Sequence, residues 1–268
     1  MFDQIIPGIY YPGASVLHRL GARAKLLALA WLVGFVAAAN RRAFDPWPYV
    51  ALLSLVFLAA ALSGSGPRLL WRRMRLMALL VALGAVPVGL LGDSDERVLY
   101  ALGPLLITAE SVWLAGRLVV TLLSLYALAL LMTMTTSPVA LIEGLTRLLG
   151  PLRRLRLPVD EFALMALLAL RFVPTLGAEI ETLVKAQLAR GADFAHGPPR
   201  ERVQSLAALI VPVFQAVWRR AEALATALDA RGYAADARPT PLYETRLGQL
   251  DYAALAVILA VTIGSLLI

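Results

Sequence analysis

Leu188-Ala189-Arg190-Gly191 and Asp229-Ala230-Arg231-Gly232 decide how this chain is read. The tripeptide Ala-Arg-Gly closes two long helical patterns, and the two copies stand 41 residues apart. The first pattern opens at Pro158, with Asp160 and Glu161 in its first turn, where the helix dipole favours acids. It ends near Arg190. Its roughly 33 residues would reach about 50 Å at the α-helical rise. In its second half Leu176, Ile180, Leu183, Val184 and Leu188 share one face, while Glu179, Glu181, Lys185 and Gln187 point elsewhere. A turn holding Gly197-Pro198-Pro199 follows. The second helix runs from about Pro199 to Arg231. Val203, Leu206, Ile210, Val213, Val217, Ala221, Leu224 and Leu228 recur in it at spacings of three and four, which gives one continuous apolar stripe. Phe162 to Ala178 is apolar enough to tempt a spanning reading. Arg171 stands in its middle, however, and such an arginine costs at least ~2.5–3.5 kcal/mol on insertion scales. The expectation is therefore a helix lying at the cytoplasmic interface.

Outward from this pair the chain is far too apolar for a soluble domain. Of its 268 residues 60% are hydrophobic and 16% charged. Five apolar runs approach the ~20 residues that cross a bilayer: Leu26 to Ala39, Tyr49 to Leu62, Leu76 to Leu91, Ser111 to Thr135 and Leu250 to Ile268. Arginine clusters at 68–75 and 147–156 place those segments in the cytoplasm by the positive-inside bias, and the acidic run at 92–97 reads as outside. The N-terminus is then cytoplasmic and Ile268 outside. Arg41 and Arg42 oppose this assignment. Tyr10 and Tyr11 suit the headgroup zone. Arg117 snorkels from the start of its span. Val98 to Thr108, broken by Gly103-Pro104, reads as interfacial or re-entrant. Ser137 is the expected N-cap of a short amphipathic helix reaching about Leu149, with Pro138 at its first position. The predicted fold is all-α: a multi-pass membrane protein of about five spans with a cytoplasmic coupling domain of long amphipathic helices. Its domains are a transmembrane region at 1–136, coupling helices at 137–235, and a linker with a last span at 236–268.

The chemistry points to docking and not to catalysis. Glycine after a helix is ordinary C-capping, and an arginine in the last turn complements the dipole. Repetition of the whole tripeptide admits a second reading, because an exposed guanidinium is a planar fork that fits a carboxylate in two places at once. Each helix end is then a key for an acidic slot on a soluble partner. Cysteine is absent. His18 and His196 lie in no metal-ligand spacing. Glu143 and Arg171 read as helix-end groups before they read as a proton relay. No G-x-x-x-x-G-K-[ST] loop is present to cradle a nucleotide, and no Ser/His/Asp or paired-carboxylate site stands in the spans. The chain is expected to be no enzyme, to bind no cofactor and no nucleic acid, and to draw any energy for transport from another chain. The alternative is a self-contained secondary transporter or channel, which calls for intramembrane charge or internal repeats.

The chain resembles the transmembrane T component of energy-coupling factor (ECF) transporters, the EcfT/CbiQ/BioN family. The resemblance rests on Tyr10-Tyr11-Pro12-Gly13, Leu17-His18-Arg19-Leu20 and Arg23-x-Lys25-Leu26-Leu27. It extends through Leu130 to Pro138, Pro151-Leu152-Arg153-Arg154, Leu157-Pro158, Ala169 to Pro174, and the two Ala-Arg-Gly tripeptides. Gly21-Ala22-Arg23 departs from the Asp-Pro-Arg usual in the family. The resemblance implies an ATP-driven importer of vitamins or metal ions. In it two ABC-type ATPase subunits would take Ala189-Arg190-Gly191 and Ala230-Arg231-Gly232, and would hydrolyse the ATP. A separate membrane S component would hold the substrate and rest on Leu206, Ile210, Val213, Phe214 and Val217. Pro174 and Pro212 are the expected bend points. The lead-in looks more like the shared type of T component than the cobalt-dedicated type.

Overall fold

The computed structural model describes residues 13–40, 45–64, 67–90, 98–102, 105–192, 199–234 and 247–267. The helices among them are α1 (Val16–Arg19), α2 (Ala22–Ala39), α3 (Trp47–Leu62), α4 (Pro67–Leu90), α5 (Ala109–Thr135), α6 (Pro138–Leu148), α7 (Val159–Ala189), α8 (Pro199–Ala230) and α9 (Gln249–Leu267). The fold is all-α apart from one hairpin of β1 (Val98–Leu102) and β2 (Leu105–Thr108). The described residues fall into two compact units, one within 9–147 and 245–268, the other within 148–244. Helix α6, which the sequence groups with the long helices, lies in the first unit up to Arg147.

Among the described residues five helices are long and apolar enough to cross a bilayer: α2, α4, α5, α7 and α9. This is a multi-pass membrane protein. The five are not the five expected. Helix α3 has 16 residues, about 24 Å of rise against a hydrocarbon core of about 30 Å. Helix α7 qualifies by length and composition. The arginines expected in a loop at 68–75 instead occupy the first turns of α4, which opens at Pro67. Proline suits the first helical position, and arginine is a good helix former whose long stem carries its charge to an interface.

The unit bearing α2 to α5 and α9 closes over its own core. Leu32, Phe35 and Val36 of α2 meet Leu52 and Leu55 of α3, with Leu125 and Leu128 of α5 and Ile258 and Val261 of α9 packed against them. Polar ties join helix to helix. The Asp251 carboxylate, 5% exposed, accepts the Gly21 and Gly248 N–H groups, both at 2.8 Å. The Lys25 ammonium donates to the Thr135 carbonyl and the Thr136 hydroxyl, both at 2.9 Å. It thereby serves the end of α5, where helix carbonyls run out of partners and a cation is favoured. The Trp31 indole N–H donates to Thr262 Oγ1 at 3.0 Å. Arg117, expected to snorkel, is pinned instead. Its Nε donates to Asn40 Oδ1 at 2.8 Å and a second N–H to the Asn40 carbonyl, while Tyr49 O–H donates to the same Oδ1 at 3.0 Å.

Two local expectations meet the structure differently. Ser137 Oγ accepts the Ala140 N–H at 3.2 Å, so it does cap α6. Gly144 of α6 presses on α2: a Cβ there would lie 3.0 Å from the Ala22 Cβ. The segment Val98 to Thr108, read as interfacial or re-entrant, is an antiparallel hairpin pairing Val98 with Thr108 and Leu102 with Leu105. It feeds α5 through a capping box, in which Thr108 Oγ1 accepts the Ser111 N–H and Ser111 Oγ accepts the Thr108 N–H. The readings placed on Tyr10, Tyr11, Arg41, Arg42, His196 and the acidic run at 92–97 fall outside the described residues.

Candidate functional site

Both long helices end in the same backbone device. Gly191 (φ +88°) and Gly232 (φ +73°) hold left-handed conformations, which glycine adopts without a Cβ clash. In the first end the Gly191 N–H donates to Leu188 O and the Ala192 N–H to Gln187 O, both at 3.0 Å. In the second the Gly232 N–H donates to Asp229 O at 2.9 Å and the Tyr233 N–H to Leu228 O at 3.0 Å. These are two Schellman caps with matched bonding. The cap is therefore built from backbone and glycine alone. Arg190 and Arg231 occupy the same C-cap position, and neither side chain takes part in capping. Both arginines, with Ala189 and Ala230, are exposed. Among the described residues no hydrogen bond or ion pair engages either guanidinium; Asp229 makes none with Arg231. Asp193 lies outside the described residues. The sequence left capping and docking as rival readings. The structure gives capping to glycine and leaves the arginines unspent.

Among the contacts between helices α7 and α8 is a charged one, made by Arg220. Arg220 stands 3.7 Å from Glu179, an ion pair too long for a hydrogen bond, and its guanidinium lies over the Phe172 ring at 5.9 Å. Arg190 lies eleven residues past Glu179, and Arg231 eleven past Arg220. Each arm from this meeting point to its cap is about 16 Å. Pro174 and Pro212 lie inside α7 and α8, which remain helical through them. Each proline deprives the carbonyl four residues earlier, Leu170 and Ala208, of its N–H partner.

The expected S-component face is a shallow groove on α8 alone, lined by Leu206, Leu209, Ile210, Val213, Phe214 and Val217. All five expected residues line it. Ile210 and Phe214 are 66% and 63% exposed, a large apolar area for a helix surface to leave bare. Leu209, which also lines it, is only 9% exposed.

Sequence reading missed three contributors. Leu209 sits one residue off the periodic stripe and was passed over. Trp218 stacks on Phe214 at 5.9 Å between ring centroids, with its N–H on Glu222 Oε1 at 2.8 Å. It extends the apolar face by one turn, and an exposed tryptophan next to the stripe was the available signal. The Glu179–Arg220 pair joins residues of two separate helices; only their eleven-residue offset from the two Ala-Arg-Gly arginines, the same in both helices, linked them. Glu143 lines a small cleft with Arg23 and Asp251 in the span-bearing unit, and Arg171 is exposed on α7 in the other unit.

Comparison with known proteins covers nearly the whole chain. Residues 13–241 match the family model described as CbiQ, cobalt transport protein. A protein of Thermosediminibacter oceani named energy-coupling factor transporter transmembrane protein EcfT is 36% identical over 98% of this chain and 97% of its own length. Proteins of the same name from Acidaminococcus fermentans and Bacillus subtilis are each 35% identical, over 94% and 87% of this chain and 91% and 86% of theirs.

Proposed function

The chain belongs to the CbiQ/EcfT family of transmembrane transporter components, and from that premise we propose that it is the coupling subunit of an ATP-driven ECF importer for vitamins or other micronutrients. Two ABC-type ATPase subunits bind its two helix ends, Ala189-Arg190-Gly191 and Ala230-Arg231-Gly232. Each guanidinium enters an acidic slot and forms a bidentate pair there. The observation that carries this reading is the match of the two ends: the same cap, the same arginine position, and no partner for either side chain among the described residues. A membrane-embedded S component covers the groove of Leu206, Ile210, Val213, Phe214 and Val217 and holds the substrate. ATP is bound and hydrolysed by the partners, so this chain is a scaffold with no cofactor of its own. Movement of the ATPases swings the two ends about the Glu179–Arg220 contact, with give at Pro174 and Pro212, and so shifts the apolar platform under the S component. The chain lies in the cytoplasmic membrane with its N-terminus inside.

The test is Arg190→Ala, Arg231→Ala and the double variant, each tagged and purified from membranes with its partners. Loss of one member of a desolvated charge pair costs about 2–5 kcal/mol of binding, some thirtyfold or more in affinity. Each single variant should therefore retain less ATPase, and the double variant should retain none and support no nucleotide-driven uptake. Normal assembly and uptake in the double variant would sink the docking role.

A further inference from the structure

The segment between α6 and α7 carries a surface that neither the helix ends nor the groove uses. It is the 3₁₀ turn Gly150–Leu155 and the residues behind it, Pro151-Leu152-Arg153-Arg154-Leu155-Arg156-Leu157-Pro158. Arg153 is committed to Asp160 at 2.5 Å. Arg154 and Arg156 are exposed, and no hydrogen bond or ion pair engages their guanidinium groups among the described residues. Leu155, between them, is 73% exposed. Arg156 has φ +59°, the one positive value at a non-glycine residue among the described residues. Its N–H closes the turn on Arg153 O at 3.0 Å. Glycine is the less strained residue at such a position, and the chain uses glycine at both Ala-Arg-Gly caps. Here it keeps a cation in spite of the strain.

The flanks say what this surface faces. Along the sequence, only α6 and Leu149 separate the turn from Ser137, which follows the end of α5, a helix long and apolar enough to span. The helix that follows the turn, α7, is strongly apolar by composition, and lying along the cytoplasmic face of the bilayer keeps its Arg190 end on the side the coupling role requires. Both sides of the turn are therefore tied to strongly apolar helices. Leu155 and Leu157 (45% exposed) alternate with the cations Arg154 and Arg156, which is not the charge-depleted apolar core that a protein interface needs. It is the pattern of a segment that sets one side chain below the headgroups and its charges on the phosphates.

We infer that Leu155 with Arg154 and Arg156 is a headgroup-binding foot that grips anionic phospholipid at the membrane surface. It goes beyond the proposed coupling role, which concerns the helix ends and the groove of α8. The absence of cysteine from the chain makes the test clean. Leu155→Cys, in the full chain purified with its partners, is labelled with an environment-sensitive fluorophore and placed in nanodiscs of zwitterionic lipid with or without added anionic phospholipid. In the anionic discs the label should be shielded from an aqueous quencher and reached by a lipid-borne one. Arg154→Gln and Arg156→Gln should each weaken that shielding, by about fivefold in the apparent affinity for anionic lipid. Arg156→Gly should weaken it equally while leaving thermal stability at or above that of the parent, which separates a lipid role from a structural one. Equal water access in both discs would overturn the foot. So would a label shielded from water yet untouched by the lipid-borne quencher, since a protein would then be its cover. ATPase co-purification reads the coupling role separately, so either inference can fail alone.

Discussion

The two compact units bury their apolar side chains in opposite ways. In the span-bearing unit Leu52, Leu131 and Met134 are each 1% exposed, and buried polar groups such as Asp251, Thr262 and Ser265 lie among the helices. In the unit of α7 and α8 only Val159 and Leu209 fall in the buried class among the described residues, and most apolar side chains of α8 stand open. The first unit carries its own specification in contacts. The second is held by a few, the Arg220 contacts among them, and leaves its remaining surface to be completed by something else. A helix that is apolar along its length and covered by nothing of its own chain is built for a partner or for lipid.

Three substitutions break or sharpen that contrast, from the largest effect on stability to the smallest. Leu52→Ala removes a fully enclosed side chain from the α2–α3–α5–α9 core and should lower stability by about 2–5 kcal/mol, read as an earlier thermal transition of the purified chain in detergent. Asp251→Ala leaves the Gly21 and Gly248 N–H groups without their acceptor and should cost about 1–3 kcal/mol by the same measurement. Ile210→Ala truncates a side chain of similar size that is 66% exposed, and should change stability by no more than about 0.5 kcal/mol. Its effect should appear in retention of a membrane partner during purification. If Ile210→Ala destabilises the isolated chain as much as Leu52→Ala does, the groove is covered from within and the contrast is lost.

The parts of the structure that rest on local periodicity were open to reading. Helices α7 and α8 begin and end within a residue or so of expectation, because Asp160 and Glu161 at one end and Gly191 and Gly232 at the other are local signals. Ser137 as a cap was legible for the same reason. The hairpin was not. Val98 to Leu102 and Leu105 to Thr108 are apolar with little alternation, and a strand lacking a polar face cannot be told from a short buried helix by period alone. The site divided along the same line. The stripe of α8 could be counted off, whereas the meeting of Glu179 with Arg220 could not, since periodicity assigns residues to faces and says nothing of which faces meet. The ties from Lys25 to Thr135 and Thr136 span more than a hundred residues, and nothing local announces a partner that remote.

The equal spacing from the Glu179–Arg220 contact to the two caps has a mechanical consequence. A crossing that sits midway between two prongs works like the pivot of a balance beam: any turn about it moves both tips through equal arcs, and neither tip has leverage over the other. If two ATPases grip these tips, as proposed, they must contribute strokes of the same size, whether or not they are the same protein. Inserting one helical turn into a single arm, past Glu179 but not past Arg220, would tilt that balance and give one tip the longer throw.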